Sequence, residues 1–193
     1  IIHRPTDIYS EMGGPRFDHA EAGVFNYTQR VAATNLNVLD PLQHKFSVQD
    51  SIVLNNGVDL EFFNYFSQKN NERSGVIYVG AIDFRFDLDF VINIANANPV
   101  IQFDMFGPIS LDLPAILPKN LKFKGAVEYL DLPLLMQNYH YGLMPFNEHP
   151  SNKGRSPMKL WEYHAAGLKI IARMHTRDML QQFTDAIYVD LND

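Results

Sequence analysis

Residues 141–172 read YGLMPFNEHPSNKGRSPMKLWEYHAAGLKIIA, and this stretch decides the fold class. The apolar run at 141–144 is typical of a buried strand, and the run at 169–172 repeats that pattern. Between them, Ser156 followed by Pro157 is typical of a helix start, because an N-cap side chain precedes a residue whose fixed φ suits the first turn. The stretch therefore predicts strand, basic loop, helix and strand, the repeating unit of parallel sheets.

The same alternation continues on both sides of this segment. Strands are predicted at 30–33, 51–54, 75–80, 100–106, 121–123 and 186–189, and helices at 36–46, 86–97, 130–138 and 177–183. In the helix at 86–97, the apolar residues Phe86, Phe90, Ile94 and Ala97 are spaced as one stripe, which we interpret as core. The pattern predicts an α/β fold with a Rossmann-like, doubly wound parallel sheet.

A break at Asn55-Asn56-Gly57 and a polar stretch at 67–74 suggest a domain boundary. We expect residues 1–54 to be the end of an amino-terminal Rossmann-like domain and residues 55–193 to be a second, truncated one. The chain starts on the apolar pair Ile1-Ile2 without a methionine and stops just after a strand-like run. These features lead us to expect a piece of a longer protein.

Composition excludes several classes of protein. The net charge of -6 leaves no general basic field for nucleic acid, so a nucleic-acid partner is not expected. Without cysteine there is no disulfide framework, thiolate zinc site or cysteine nucleophile, which fits a cytoplasmic protein. No apolar run reaches the roughly 18 residues of a membrane helix, and neither a P-loop, a GxGxxG fingerprint nor a GxSxG elbow occurs. The spacing of the histidines predicts no metal site.

The basic loop and the helix after it could hold a phosphorylated ligand. Lys153, Arg155 and Lys159 place three cations within seven residues of an otherwise acidic chain, and the unpaired amides of a helix start favour phosphate. Glu162 lies three residues beyond Lys159 on the same helical face, where its carboxylate could accept hydrogen bonds from neighbouring ribose hydroxyls. Alternatively, Lys159 and Glu162 form a surface ion pair, and Ser156 caps an ordinary helix.

Four segments resemble one family. The run SPMKLWEYHAAGLKIIA at 156–172 resembles the carboxyl-terminal nucleotide-sugar domain of GT-B fold glycosyltransferases of the group 1 type. NNGVD at 55–59 with Phe62 or Phe63, VIYVGA at 76–81 and NLKFKG at 120–125 resemble three further blocks of that family, in the same order. The SPMK tetrapeptide resembles the corresponding sequence in the branch that contains bacterial glucuronosyltransferases of xanthan-type polysaccharide synthesis.

The resemblance implies a donor site whose residues can be named. It implies that Glu162 binds ribose and that Lys159 and the amides after Ser156 bind the diphosphate. Arg155, by its charge, is a further candidate for binding the diphosphate. The resemblance also implies that Gly80 and Ala81 contact the phosphates or sugar. The segment around Lys124 and Gly125 would contact the nucleobase, and Met158 would contact the nucleotide.

One departure from the family concerns the reaction outcome. Many retaining members carry a second glutamate eight residues before the position of Glu162, and here that position is Gly154. This favours an inverting reaction, in which a carboxylate of the amino-terminal domain acts as general base. Asp7, which follows a strand-like start, is the candidate for that base. The alternative is that Asp7 caps a turn or a helix.

The implied activity is transfer of a hexosyl or glycuronosyl unit from a nucleoside-diphosphate sugar, expected to be UDP-linked, to an acceptor hydroxyl in surface polysaccharide or glycolipid synthesis. No metal or other cofactor is implied. The partners are the donor and a saccharide or lipid-linked acceptor, and a lipid-linked acceptor would place the protein at the inner face of the cytoplasmic membrane as a peripheral protein. The 193-residue chain by itself is expected to be inactive, because catalysis in this fold needs both lobes. Two alternatives stay open: a non-catalytic nucleotide-sugar-binding or interaction domain, and a doubly wound domain of unrelated function.

Overall fold

The computed structural model describes residues 1–28, 30–65, 72–175, 180–181 and 183–190. Internal contacts divide the chain into two packing units. The first contains Ile1–Gly57 and His149–Pro157, and the second contains Val58–Glu148 and Met158–Asp193. The predicted assignment of residues 1–54 and 55–193 to two domains remains a prediction.

The first unit is a parallel sheet with helices. Its strands are β1 (Ile2–His3), β2 (Arg30–Ala33) and β3 (Asp50–Val53), in the order β1-β2-β3, and its helices are α1 (Tyr9–Gly13), α2 (Pro15–Phe25) and α3 (Leu36–Lys45). Asn35 begins α3 as its N-cap, because its side chain accepts a hydrogen bond from the Val38 amide at 3.2 Å. This orients Val38, Leu39 and Leu42 towards Val31 and Ala33 of β2, which together form the core of the unit.

The second unit contains a parallel sheet of six strands within the described residues. The strands are β4 (Val76–Val79), β5 (Phe103–Phe106), β6 (Leu121–Gly125), β7 (Tyr141–Pro145), β8 (Lys169–Arg173) and β9 (Ile187–Tyr188). Their order is β6-β5-β4-β7-β8-β9. The helices are α4 (Leu60–Asn64), α5 (Leu88–Ala97), α6 (Leu132–Met136) and α7 (Met158–Ala165), with a 3-10 turn at Tyr129–Asp131. This confirms the predicted α/β class and parallel sheet.

Both faces of this sheet are covered by helices. Successive residues of β4 point to opposite faces, so Val76 and Tyr78 join the core under α5, whereas Ile77 and Val79 join the core under α4, α6 and α7. Strand β4 comes first along the chain and lies between β5 and β7, so connections leave it in both directions. Such a reversal of strand order opens a crevice at the carboxyl ends of the strands, where doubly wound folds bind ligands.

One predicted helix has a different buried face. Asp87 caps α5 by accepting a hydrogen bond from the Phe90 amide at 2.8 Å, so the helix begins at Leu88 and not at Phe86. The face turned to the sheet then passes through Val91 and Ala95, both fully buried. Of the predicted core stripe, Phe86 is buried ahead of the helix, and Phe90 and Ile94 pack against the core as half-buried residues. The prediction is wrong for Ala97, which is exposed. The predicted helix at 177–183 lies largely outside the described residues.

Candidate functional site

Glycines form the carboxyl edge of the sheet beside the crevice. Gly80 and Gly107 follow β4 and β5, and Gly125 ends β6. The Gly80 amide donates to the Phe106 carbonyl and the Gly107 amide donates to the Gly125 carbonyl, both at 2.8 Å. All three glycines have positive φ, at 146°, 141° and 77° respectively. The strand ends are therefore tied to one another through backbone that favours glycine.

Gly107 is the tightest of these positions. A Cβ atom at residue 107 would lie 1.9 Å from the carbonyl oxygen of Gly80, far inside van der Waals contact. Glycine at this position lets the loop after β4 rest directly on the end of β5. Sequence reasoning missed Gly107, and the signal that could have marked it is the Gly-Pro pair immediately after the predicted strand at 100–106.

Lys159 lies over the loop after β4. A Cβ atom at Gly80 would be 2.8 Å from Lys159 Nζ and 3.1 Å from the Tyr78 hydroxyl oxygen. The ammonium group also lies 5.6 Å from the centroid of the Tyr78 ring, a cation–π distance. Tyr78 in turn donates a hydrogen bond to the Ala81 carbonyl at 2.8 Å. The structure thus brings together Gly80, Ala81 and Lys159, and adds Tyr78 to them.

Glu162 lies one turn further along α7 and is buried, with 7% of its surface exposed. Burial raises the pKa of its carboxyl group, whereas the charge of Lys159 and a hydrogen bond from Tyr129 act to lower it. A buried carboxylate next to a cation and a hydroxyl donor differs from an exposed surface ion pair. Such a carboxylate retains acceptor capacity for further hydroxyl donors.

Tyr129 belongs to an aromatic cluster beside Glu162. Its ring stacks on Phe62 with centroids 5.7 Å apart and meets Phe63 edge-on at 5.9 Å. Asp59 caps α4, which carries both phenylalanines, by accepting from the Phe62 amide at 3.0 Å. Burial raises the pKa of Tyr129, as do the charges of Glu162 and Asp59. Sequence reasoning missed Tyr129, whose only signal was its place in the loop after a predicted strand.

Helix α7 is connected to the sheet by a buried tyrosine. The ladder between β4 and β7 covers only two pairs, Val76 with Tyr141 and Ile77 with Gly142. Beyond them, the Val79 amide donates to the Tyr163 hydroxyl oxygen at 2.9 Å. Tyr163 is fully buried, and a Cβ atom at Gly142 would lie 2.3 Å from its ring. The Tyr163 side chain therefore occupies the gap where the two strands separate.

The other predicted residues of the second unit have different surroundings. Gly125 has no heavy atom within 4 Å of the place that a Cβ would take, so this strand end is open. Lys124 Nζ lies 3.9 Å from the carboxylate of buried Asp104, which also accepts from the Tyr139 hydroxyl at 2.7 Å. Met158, the first residue of α7, is 49% exposed.

The remaining predicted residues lie in the first unit. Thr6 Oγ1 donates to the Asp7 carboxylate at 3.1 Å, and Asp7 is half-buried. Helix α1 has Ile8 as its N-cap residue, so Asp7 is not the cap of that helix. Arg155 also lies in this unit, and its amide donates to the Asn152 carbonyl at 3.3 Å.

The predicted N-cap role of Ser156 is wrong. Helix α7 begins two residues later, at Met158, and among the described residues the buried Ser156 hydroxyl has no hydrogen-bond partner. The Ser156 carbonyl accepts from the Asn56 side chain at 2.5 Å, which fixes the backbone by a tertiary contact. Gly154 is held in the same way by Asn35, which donates to its carbonyl at 2.7 Å. A Cβ atom at Gly154 would lie 2.5 Å from Ile8 Cγ1, so a glutamate at this position would require the Ile8 side chain to shift.

In the second unit, a cation lies over glycine backbone and a buried carboxylate follows one helical turn away. The Lys159 ammonium group beside the Gly80 backbone suits an anion such as phosphate, and the Glu162 carboxylate suits hydroxyl donors. Over the described ranges, no group of three or more His, Asp or Glu side chains could hold a metal ion. No helix in this part of the chain has the length and apolar character needed to cross a bilayer.

Comparisons with known proteins find one curated relative and several solved structures. No family model matches the chain. The putative teichuronic acid biosynthesis glycosyltransferase TuaH of Bacillus subtilis (strain 168) is 27% identical over 129 residues, which are 60% of this chain and 32% of TuaH.

Solved structures match over nearly the whole chain. Anabaena HepE in complex with UDP and glucose matches with a TM-score of 0.72 and 14% identity, over 98% of this chain and 57% of HepE. Sucrose-phosphate synthase from Thermosynechococcus elongatus has the same TM-score and identity, over 100% and 55% of the two chains. WaaG, a glycosyltransferase of lipopolysaccharide biosynthesis, has a TM-score of 0.68 and 11% identity, over 98% and 61%.

The chain thus spans 32% of its curated relative and 55–61% of these three solved structures. The similarities confirm the predicted fold and the predicted resemblance to GT-B glycosyltransferases.

Proposed function

We propose that this chain is part of a glycosyltransferase that moves a hexosyl or glycuronosyl unit from a UDP-sugar to an acceptor hydroxyl. The observation that carries the proposal is the position of the Lys159 ammonium group against Gly80, with buried Glu162 one turn further along α7. The HepE structure, which holds UDP and glucose, supports the choice of nucleotide. The names of TuaH and WaaG support a role in surface polysaccharide or glycolipid synthesis.

In the proposed donor site, residues 55–193 bind the nucleotide sugar. Lys159, Arg155 and the backbone amides after Ser156 would stabilise the negative charge that develops on the diphosphate as its bond to the sugar breaks. Glu162 would accept hydrogen bonds from both ribose hydroxyls. Gly80 and Ala81 would approach the phosphates or sugar, Lys124 and Gly125 would lie against the nucleobase, and Met158 would make an apolar contact with the nucleotide. No metal belongs to this proposal.

Asp7 is the proposed general base. Its carboxylate would take the proton of the acceptor hydroxyl while that oxygen bonds to the anomeric carbon and UDP leaves, which inverts the configuration. The proposed acceptor is a saccharide or a lipid-linked saccharide. The proposed location is the cytoplasm, with peripheral attachment to the inner face of the cytoplasmic membrane for a lipid-linked acceptor.

Calorimetric titration with UDP, with GDP and ADP as comparators and EDTA present, tests the donor site. We expect saturable binding of UDP and no binding of GDP or ADP. Lys159→Ala should weaken UDP binding by about 1.5–3 kcal/mol, or roughly tenfold or more, because a hydrogen-bonded charge is lost. Lys122→Ala, which removes an exposed lysine of β6, is the matched control and should leave binding unchanged. Absence of UDP binding, or equal binding by the Lys159→Ala variant, would contradict the proposal.

A second test displaces Lys159 without removing it. Gly80→Ala places a methyl group 2.8 Å from the Lys159 ammonium nitrogen, inside van der Waals contact, so the ammonium group must move. We therefore expect UDP affinity to fall about tenfold, equivalent to about 1.4 kcal/mol. The positive φ of residue 80 should also lower the free energy of unfolding by about 1–3 kcal/mol. Calorimetry and urea denaturation measure the two effects separately.

Gly75→Ala is the control for the loss of stability that an alanine at positive φ causes. Gly75 lies just before β4 and has φ of 72°, and a Cβ there would lie 2.7 Å from the Gln102 carbonyl oxygen. This variant should lose stability to a similar extent and keep its UDP affinity. Equal losses of affinity in both variants would mean that Gly80 acts only through stability.

A further inference from the structure

We infer that the Ala81 amide and the Lys159 ammonium group form a two-donor phosphate site, and that Tyr78 is the positioning residue that holds both donors. The inference rests on the proposed function, because it takes a nucleoside diphosphate as the ligand. It goes beyond that function in assigning the ligand contact after β4 to phosphate and not to sugar, and in giving Tyr78 a role.

The backbone amides after β4 point alternately to the two sides of the strand. The Gly80 amide donates to the Phe106 carbonyl at 2.8 Å. The Ile82 amide donates to the Pro108 carbonyl at 2.9 Å, so both amides face the β5 side. Because successive residues of an extended chain alternate in direction, the Ala81 amide between them faces the β7 side.

The peptide bond between Gly80 and Ala81 gives the same direction. The Gly80 carbonyl oxygen faces Gly107, since a Cβ atom at residue 107 would lie 1.9 Å from it. The described residues contain no cis peptide bond, and a trans peptide points its N–H away from its C=O. The Ala81 amide is therefore directed into the crevice between β4 and β7, whose ladder ends at the pair Ile77 and Gly142.

This amide is accessible to a ligand. Ala81 is exposed, and within the part of the chain that the structure describes its amide has no hydrogen-bond acceptor. The Val79 amide, which faces the same side of the strand, donates to the Tyr163 hydroxyl oxygen at 2.9 Å. Of these two amides on the crevice side, that of Ala81 is the donor left for an anion.

The second donor lies beside the same peptide. A Cβ atom at Gly80 would be 2.8 Å from Lys159 Nζ, and the Cα atom of Gly80 is joined to the Ala81 nitrogen through a single carbonyl carbon. The ammonium group and the amide therefore approach the crevice from neighbouring positions. A phosphate suits this pair, because the negative charge on its oxygens strengthens the hydrogen bonds from both donors.

Tyr78 contacts both parts of the site from the core. It is buried, with 2% of its surface exposed, and its ring meets Phe86 edge-on at 4.9 Å. Its hydroxyl donates to the Ala81 carbonyl at 2.8 Å, which fixes the loop backbone and covers an oxygen that would repel an anion. Its ring centroid lies 5.6 Å from Lys159 Nζ, within cation–π range. Tyr78 therefore restrains the loop and the ammonium group together.

The experiment follows the Ala81 amide by NMR in protein labelled with ¹⁵N-alanine, during titration with UDP, uridine or inorganic pyrophosphate. UDP and pyrophosphate should shift the Ala81 signal, whereas uridine, which has no phosphate, should leave it in place. The signal of Ala115, an exposed alanine in the loop before β6, is the internal control and should not move.

Replacing Ala81 by lactic acid tests the amide as a donor, because an ester oxygen takes the place of the N–H and the methyl group stays. We expect this change to weaken UDP binding about tenfold, the order expected for one hydrogen bond to a charged group, and to leave uridine binding unchanged. The same replacement at Ala115 is the control and should change neither affinity.

Tyr78→Phe tests the positioning role, because it keeps the ring and removes the hydroxyl. UDP affinity should fall about tenfold while uridine affinity stays the same, whereas a general loss of structure would weaken both. Tyr188→Phe is the matched control. The Tyr188 hydroxyl also donates to a backbone carbonyl of the second unit, that of Met174 at 3.2 Å, and its removal should leave UDP affinity unchanged.

The outcomes separate the phosphate site from the proposed function. An Ala81 signal that neither UDP nor pyrophosphate moves would overturn the phosphate site. UDP binding that the ester at residue 81 leaves unchanged would also overturn it, while the proposed function would stand. A shift with pyrophosphate in a protein that does not bind UDP would support the site and overturn the assignment of UDP. Unchanged UDP affinity in Tyr78→Phe would overturn the role of Tyr78.

Discussion

Gly107→Ala should lower the free energy of unfolding of the second packing unit by about 3 kcal/mol or more, the range expected when backbone strain and steric overlap occur together. The added methyl group would lie 1.9 Å from the Gly80 carbonyl oxygen. This oxygen belongs to backbone, so the overlap cannot be relieved by a rotamer change. Either β4 and β5 separate at their carboxyl ends, or residue 107 leaves its φ of 141°. Urea denaturation followed by circular dichroism measures the loss.

Gly125→Ala separates the cost of backbone strain at positive φ from the cost of steric overlap with a neighbouring atom. Gly125 also has a positive φ, of 77°, but nothing lies within 4 Å of the place that its Cβ would take. Only the backbone penalty should remain, about 1 kcal/mol. Similar losses in the Gly107 and Gly125 variants would show that the contact with Gly80 adds nothing.

Glu162→Ala should weaken UDP binding by about 1.5–3 kcal/mol, roughly 10- to 150-fold, because hydrogen bonds to a charged group are lost. Calorimetry at pH 7.5 measures the change. Glu128→Ala, at an exposed carboxylate in the preceding loop, is the control and should bind UDP as the unmodified protein does. Unchanged affinity in the Glu162 variant would leave this carboxylate with a structural role alone.

The same residue should affect stability in the opposite direction. The folded-state pKa of Glu162 is raised, so its ionised form destabilises the fold above that pKa, and the penalty disappears below the unfolded-state value of about 4.3. Glu162→Gln removes the buried charge and should stabilise the protein most near pH 7.5, with the gain vanishing towards pH 4. Denaturation at both pH values measures this, and a gain that is equal at the two would contradict it. A stability gain with a binding loss is typical of a residue kept for function.

Much of this arrangement could be predicted from local pattern and topology. Lys159 and Glu162 share a helix face because they are three residues apart, and Gly80 follows a predicted strand. In a parallel sheet the carboxyl ends of strands meet at one edge, so the approach of α7 to the loop after β4 follows from the strand order.

Other features depend on contacts between residues distant in sequence. The role of Gly107 appears only when β4 and β5 are neighbours, and the Gly-Pro pair alone indicates no more than a turn. Tyr129 joins an aromatic cluster with Phe62 and Phe63, which lie far from it in the sequence. The local N-cap pattern at Ser156 is overridden by the hydrogen bond from Asn56 to its carbonyl.

The bond from the Val79 amide to the Tyr163 hydroxyl has a mechanical consequence. The last amide of β4 donates to a helix side chain, so pulling α7 away from the sheet would leave a half-buried donor without this acceptor. The end of β4 and helix α7, which carries Lys159 and Glu162, should therefore move together. A ligand that draws Lys159 towards itself would therefore also move the loop at Gly80 and the end of β4, which is a central strand of the sheet.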